Sequence, residues 1–318
     1  MTGATTRPLA APDAALPPVV NPWLAALRLL LADKLALVAA GFLLLMALCA
    51  IFGPALLGQP ANAMNLRMRN APPFDLENGW LFILGADALG RSILARIVVA
   101  SQNTLSVAAA SVASAMVVGC LLGLIAGYLG GWLGGLIMRL ADVIMSFPSL
   151  LLAVIVLYML EPRVANLVLV LAITRIPIYL RTTRAEVLEI RERMFVQAAR
   201  VMGASSPRII VRHILPIVVP TLITIGTLDF AFVMLAESAL SFLGIGIQPP
   251  EITWGLMVAQ GRGYLSQAWW LAFWPGVAII LTTMSLNLLS AWLRTATDPM
   301  QRWRLEQGGR RPEWRSGG

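Results

Sequence analysis

The chain has 318 residues, of which 58% are hydrophobic and only 13% are charged, and its mean hydropathy is +0.78. Ordinary soluble domains are roughly 45 to 50% apolar and about 25% charged, so this composition excludes a soluble globular fold. The net charge of +8 comes without a basic patch interleaved with aromatic residues. We therefore attribute it to membrane topology and contact with anionic headgroups, and not to nucleic-acid binding.

The N-terminal part of the chain divides into two segments. Residues 1–21 are rich in Ala, Pro and Thr and carry almost no charge, a composition that cannot bury a core, so we predict a disordered tail. Residues 22–57 begin with an interfacial stretch and then enter the uncharged run 35–57, which reaches the roughly 20 residues that a membrane-spanning helix needs. This run starts far from the first residue and lacks a small-residue cleavage motif, so we predict a retained helix.

Uncharged stretches long enough to span a membrane recur along the chain. They lie near residues 35–57, 103–127, 134–160, 164–183, 216–240 and 268–293. Six spans place both termini on one side, and 17 of the 24 Lys and Arg residues then fall on that side. Because cytoplasmic loops carry the excess of positive charge, we predict an all-α integral membrane protein with six transmembrane helices and cytoplasmic N- and C-termini.

The first two predicted spans are joined by the loop 58–100, which the charge bias places outside the cytoplasm. The span after this loop carries glycines at every fourth position, Gly119, Gly123 and Gly127, and this spacing puts them on one helical face. Small residues on such a face let helices approach closely. The glycines indicate either a sliding contact in a moving transporter or static close packing.

A long charged segment, residues 181–215, interrupts the apolar chain on the cytoplasmic side. Apolar side chains in it recur at spacings of three and four, which predicts one amphipathic helix. The apolar stripe comprises Val187, Ile190, Met194, Ala198 and Val201. Gly203 is predicted to end this helix in a left-handed conformation, and Ser205 to Pro207 to begin another. The protruding helices fit a docking element for a partner, and equally an interfacial helix resting on lipid headgroups.

Charged residues at membrane depth are candidates for function, because they are costly in lipid and usually face a bundle interior or a water-filled path. Arg139 and Asp142 lie three positions apart, which predicts a local ion pair. Asp229 sits in the middle of the fifth span, where it either pairs with a neighbour such as Arg175 or lines the translocation path. Glu237, near the outer end of that span, would shape an outer gate or stand in water.

The remaining reactive side chains do not form a recognisable site. Cys49 and Cys120 lie in apolar spans without metal-binding spacing, and His213 is the only histidine, so we predict neither a disulfide nor a metal site. The residues of the predicted spans include no recognisable combination of nucleophile, base and oxyanion donors. We therefore predict no catalytic residue.

The charged segment carries a family signature. The residues that match it are Gln197, Ala198, Ala199, Gly203, Leu215 and Pro216. They resemble the EAA signature of binding-protein-dependent ABC importer permeases, which in that family lies in the cytoplasmic loop that docks on the ATPase. The usual glutamate of the signature is Gln197 here, and an amide cannot make a charge-assisted contact with a basic partner, so Arg200 is expected to matter more for docking.

Most of the chain, residues 30–299, is similar to the C-type permease of dipeptide, oligopeptide and related importers. The likeness is carried by the segments 84–97, 126–152 and 236–279, although Ala86 and Ser92 stand where the family usually shows Thr and Asp. The resemblance implies the type I ABC importer permease fold, with a permease core, residues 101–299, and a cytoplasmic tail, residues 300–318.

The resemblance also implies partners at the bacterial inner membrane. These are a homologous second permease in a heterodimer, two cytoplasmic ATPase subunits and a periplasmic or lipid-anchored substrate-binding protein. This chain contains no GxxxxGK[ST] phosphate loop, so ATP and Mg would bind to the ATPase subunits and no cofactor would bind to this chain.

The chain is therefore predicted to be a non-catalytic permease subunit that forms half of a pathway for dipeptides or oligopeptides. Alternative cargoes are nickel, glutathione or another small solute, because the separate binding protein largely selects the solute. An alternative of a different class is a proton-coupled secondary transporter that uses Asp229 as its coupling carboxylate. The docking loop disfavours that alternative.

Overall fold

The structure, a computed structural model, describes residues 29–297 except 76, 78 and 162. The predicted tails, residues 1–21 and 300–318, lie outside the described residues. From residue 34 onward, nine helices are labelled here in chain order. They are α1 (Lys34–Asn62), α2 (Ile93–Tyr128), α3 (Gly131–Met145), α4 (Ser149–Met159), α5 (Val164–Ile190), α6 (Met194–Val201), α7 (Ser206–Phe242), α8 (Trp254–Gly261) and α9 (Trp270–Thr297).

The described part of the chain is all-α, as predicted. Three short 3-10 turns accompany the helices, and β pairing within the described residues is limited to one isolated bridge between Ala86 and Ser92. Five helices, α1, α2, α5, α7 and α9, are long and apolar enough to cross a membrane.

The third predicted span, residues 134–160, is wrong as a single straight helix. The chain forms α3 and α4 there, and their axes are bent by 86° at the break between them. Pro148 precedes α4 with a non-helical ψ of 124°. Because proline lacks an N–H and disfavours helical geometry at the residue before it, it favours a break between α3 and α4. Within the described residues, length and composition therefore give five candidate spans, or six if α3 and α4 together form one bent span.

The loop between the first two spans is shorter than the predicted 58–100. At its start α1 continues to Asn62, and at its end α2 already begins at Ile93, with Ser92 Oγ accepting the Ala95 N–H at 3.1 Å. The predicted span left Arg96 in the loop, but this side chain belongs to α2 and is only 3% exposed. It lies 3.7 Å from the Asp87 carboxylate and 3.4 Å from the Gln260 amide oxygen, so the helix accommodates it.

The three glycines of α2 lie where this helix crosses α5. A Cβ atom would come within 2.6 Å of Tyr179 Cβ at Gly119 and within 2.5 Å of Thr183 Cβ at Gly123. At Gly127 it would lie 2.8 Å from Val187 Cβ. The backbones of α2 and α5 are therefore too close to hold any side chain between them. A sliding contact and static close packing both require this close approach, so one conformation does not distinguish them.

Candidate functional site

The predicted amphipathic helix is two helices, which corrects the predicted apolar stripe. The chain turns at residues 191–193, between α5 and α6. Val187 and Ile190 are buried on α5, whereas Met194 and Val201 on α6 are 87% and 88% exposed. The apolar spacing of three and four continues across the turn. The turn nevertheless changes the direction of the chain, so the apolar stripe of α6 faces away from the protein. In this structure α6 buries Val196 and Ala199 instead.

Gly203 ends α6 in the left-handed conformation, with φ +82°. Its N–H donates to the Arg200 carbonyl at 3.0 Å, and the Ala204 N–H donates to the Ala199 carbonyl at 3.1 Å. These two bonds form a Schellman motif, which satisfies carbonyl groups at the end of the helix. The next helix, α7, begins directly after Ser205, whose backbone is extended, and has a proline in its first turn.

Gln197 has an internal partner in the structure. Its side-chain amide nitrogen donates to the Glu192 carbonyl at 3.1 Å and so joins α6 to the turn before it. A carboxylate in this position could not make the bond, because it only accepts. Of its neighbours in the signature, Ala198 is exposed and Ala199 is 4% exposed. Arg200 is exposed, with its guanidinium carbon 5.8 Å from the centre of the Tyr128 ring.

Leu215 and Pro216 lie inside α7, directly after a π-helical turn, Ile210–Ile214. The Leu215 N–H donates to the Ile210 carbonyl, five residues back. Pro216 has no N–H with which to continue the α-helical pattern, and this absence favours the wider turn. The end of the signature thus shapes the first part of a membrane helix.

A hydrogen bond from the turn before α6 reaches the membrane helix α2. Arg191, in the turn between α5 and α6, donates from Nη1 to the Gly127 carbonyl at 2.9 Å. That carbonyl belongs to the last turn of α2, where backbone acceptors lack partners within the helix. The loop is therefore attached to α2 as well as to α5 and α7.

The structure brings Arg175 and Asp229 together. The Asp229 side chain is 2% exposed, pairs with the Arg175 guanidinium, and accepts a hydrogen bond from the Tyr179 hydroxyl at 3.0 Å. The guanidinium also lies over the Phe232 ring, 4.3 Å from its centre. Of the two predicted possibilities for Asp229, this arrangement is the paired one. The pair joins α5 and α7, the helices on either side of α6.

Two other charged residues differ from their predictions. Glu237 is fully buried, and the hydroxyls of Ser238 and Ser241 donate to it at 3.3 and 2.8 Å, so the possibility that it stands in water is wrong. Asp142 pairs with Arg181, not with Arg139. The local spacing on α3 predicted the latter pair, but α5 lies alongside and supplies a different arginine.

Sequence reasoning missed a polar cluster at the N-terminal end of α2. Asp87 accepts from the Arg91 side chain at 2.7 Å and lies beside Arg96, which reaches Gln260 on α8. The spacing of four between Asp87 and Arg91 was the available signal, whereas Gln260 is distant in sequence. No group of three or more His, Cys, Asp or Glu residues in the described part of the chain could hold a metal ion.

Long apolar helices around a buried ion pair, with one charged loop between two of them, define a multi-pass membrane protein. Residues 119–303 match the family described as binding-protein-dependent transport system inner membrane component. Residues 21–73 match the N-terminal transmembrane domain of oligopeptide transport permease C. The chain belongs to the family of binding-protein-dependent transport system inner membrane components, and the predicted importer permease family is confirmed.

Curated relatives cover most of the chain. The di/tripeptide transport system permease protein DppC of Pseudomonas aeruginosa (strain UCBPP-PA14) is 39% identical, over 81% of this chain and 86% of that protein. The probable D,D-dipeptide transport system permease protein DdpC of Escherichia coli (strain K12) is 38% identical, over 84% and 88%. The glutathione transport system permease protein GsiD of Escherichia coli O6:K15:H31 (strain 536 / UPEC) is 36% identical, over 92% and 94%.

A solved structure supports the fold. A chain of the MetNI methionine ABC transporter, crystallised in inward-facing conformations, has a TM-score of 0.51 to this chain at 17% identity. The alignment covers 64% of this chain and 97% of that one. The likeness therefore concerns the helical core of the permease.

Proposed function

We propose that this chain is one permease of an ATP-driven importer and forms half of a translocation pathway for short peptides. The proposal includes six membrane crossings, with α3 and α4 counted as one bent span, and cytoplasmic termini in the bacterial inner membrane. The observation that carries it is the coupling loop, residues 191–205 with α6 at its centre. This loop turns apolar side chains outward in the middle of a charged segment between two membrane helices.

The loop is placed to transmit a change in a partner to the membrane helices. An equilibrium between two packings shifts only if a partner has different contact energy with each of them. We infer that two cytoplasmic ATPase subunits, which hold ATP and Mg, supply that difference and that this chain itself binds no cofactor. The bonds from Gln197 to the turn and from Arg191 to α2 would carry the movement inward.

The cargo assignment draws on the relatives, which are named for di- and tripeptides, D,D-dipeptides and glutathione. We infer a short peptide, delivered from outside by a binding protein to the interface with a homologous second permease. A proton-coupled carrier is the second candidate, but a coupling carboxylate needs water and an exchangeable proton. Asp229 is instead buried and paired with Arg175, which favours the importer.

Energy coupling can be tested in proteoliposomes that contain the complete importer. Uptake of a labelled dipeptide should stop when the phosphate-loop lysine of the ATPase is replaced by alanine, and should persist when the proton gradient is collapsed. The control is the intact importer without its binding protein, which should not accumulate dipeptide. Uptake that survives ATPase inactivation and collapses with the gradient would establish the secondary transporter instead.

Replacing Gly203 by valine should uncouple the importer. An L-residue in the left-handed region costs about 1 to 2 kcal/mol, and a β-branched one more, so recruitment of the ATPase should fall about tenfold or further. A Cβ atom at this position would have no described heavy atom within 4 Å, so the expected loss comes from backbone strain and not from a Cβ clash. Asparagine tolerates the left-handed region, which makes Gly203→Asn the matched control. Valine and wild-type complexes with equal ATPase binding and uptake would contradict the prediction.

A further inference from the structure

We propose that the coupling loop and the first part of α7 together expose an apolar surface with a basic rim, and that this surface fits an ATPase groove with an acidic rim. The inference rests on the proposed function and adds the chemistry of the partner surface. We call this surface the docking face. Its residues are Met194, Val201, Met202, Arg208, Val211 and Arg212.

The centre of the docking face is apolar. Met194, Val201 and Met202 are 87%, 88% and 81% exposed, and Val211 on the first part of α7 is 62% exposed. The two segments adjoin, since the Phe195 and His213 rings lie 6.5 Å apart. Exposed methionines are common at binding surfaces because the side chain adapts its shape. These side chains are covered by no described residue of the chain itself.

Lipid does not account for the exposed apolar side chains of α6. The last uncharged stretch of α5 ends at Leu180, and the helix continues for ten more residues to Ile190. At 1.5 Å per residue this extension adds about 15 Å. It carries Arg181, Arg184 and two glutamates, which are costly at membrane depth. An interfacial helix buries its apolar face only about 5 to 10 Å below the headgroups, so α6 lies beyond the reach of acyl chains.

The rim of the docking face is basic because the nearby carboxylates are already neutralised. Glu189 pairs with Arg193 at 2.7 Å, and Glu192 pairs with Arg191 at 3.0 Å. By contrast, Arg208 and Arg212 are exposed and pair with no carboxylate among the residues that the structure describes. They flank Val211 in sequence, since Arg208 lies three positions before it and Arg212 directly after it.

A basic groove on the partner would be expected only if the docking face carried a free negative charge, and Gln197 carries none. A glutamate here would present a negative charge to a partner, whereas Gln197 is neutral and its amide donates inward to the Glu192 carbonyl. A cationic groove would therefore meet two unpaired arginines and no free carboxylate. Opposite charge across an interface raises the association rate, and like charge opposes it, so the matching groove carries Asp or Glu at its rim.

The test measures the affinity of the complete permease pair for its ATPase in nanodiscs of neutral phosphatidylcholine. The double reversal Arg208→Glu/Arg212→Glu should weaken binding about tenfold or more, and Arg208→Gln/Arg212→Gln should weaken it by less. Wild-type affinity should fall as salt rises, because the charges at the rim are screened. The matched control is Arg67→Glu/Arg69→Glu, an exposed pair in the outer loop, which should leave affinity unchanged.

Three results would overturn the inference. One is a reversal variant that binds the ATPase as tightly as wild type, and another is a wild-type affinity that does not respond to salt. The third is an effect that appears only when the nanodiscs contain phosphatidylglycerol, since the arginines would then contact lipid. If wild type itself retains no ATPase, the proposed function fails instead, so the two failures are distinguishable.

Discussion

The variant Asp229→Ala is expected to lower the free energy of unfolding by about 3 kcal/mol, because it leaves the Arg175 guanidinium without its buried partner. This value lies at the lower end for broken buried pairs, since the Arg175 side chain remains 18% exposed and keeps its contact with Phe232. Tyr179 would also lose the acceptor of its hydroxyl. The measurement is thermal unfolding of the purified permease pair in detergent.

The control for this prediction replaces both charges by apolar residues of similar size. Arg175→Met/Asp229→Leu should recover most of the lost stability, because a well-packed apolar pair often equals a buried ion pair. If the pair serves only to join α5 and α7, this double variant should also import dipeptide with ATP. A folded double variant that imports nothing would indicate that Asp229 acts directly on the cargo or on a proton. A fully stable Asp229→Ala variant would contradict the stability prediction.

The second large effect is expected at Gly123. Alanine normally stabilises a helix relative to glycine by roughly 0.5 to 1 kcal/mol. Helix propensity therefore cannot explain a loss of stability in Gly123→Ala. Here the added Cβ would lie 2.5 Å from Thr183 Cβ and 2.7 Å from the Leu180 carbonyl oxygen, which is backbone and cannot rotate away. Gly123→Ala should therefore force α2 and α5 apart and cost about 2 to 3 kcal/mol through overpacking.

The matched control is Gly41→Ala on α1, where a Cβ would meet no described heavy atom within 4 Å. This variant should be as stable as wild type or slightly more stable. Both variants can be compared by the amount of assembled permease pair and by its unfolding temperature. Equal behaviour of the two would show that the α2–α5 contact yields easily, and would favour the sliding interpretation of the glycines over static packing.

Several structural features were predictable because one physical constraint dominates each of them. A membrane span needs about 20 apolar residues, so the positions of α1, α5, α7 and α9 followed from composition. The bend at Pro148 did not follow, because a search for apolar stretches registers length and not direction. The start of α2 was also predicted too late. Arg96 belongs to this helix, and Asp87 and Gln260, which accommodate it, reach it through the fold.

The coupling loop also has features that the sequence predicted and features that it did not. Its signature could be recognised from Gln197, Gly203 and Pro216, since each requires a particular local backbone or side chain. The direction of α6 could not, because the turn after Ile190 rotates the apolar stripe without altering its spacing. Consequently the sequence predicted the buried and exposed sides of the stripe incorrectly beyond residue 190.

The sequence by itself determined that this chain is a membrane protein and belongs to an importer permease family. Long apolar stretches and short motifs are each contained in contiguous residues, so they can be recognised without the fold. Tertiary structure decided which charges meet. Asp229 is 54 residues from Arg175, and Asp142 is 39 residues from Arg181. Local spacing cannot choose among distant arginines, whereas the packing of α5 against α3 and α7 leaves each carboxylate one partner within reach.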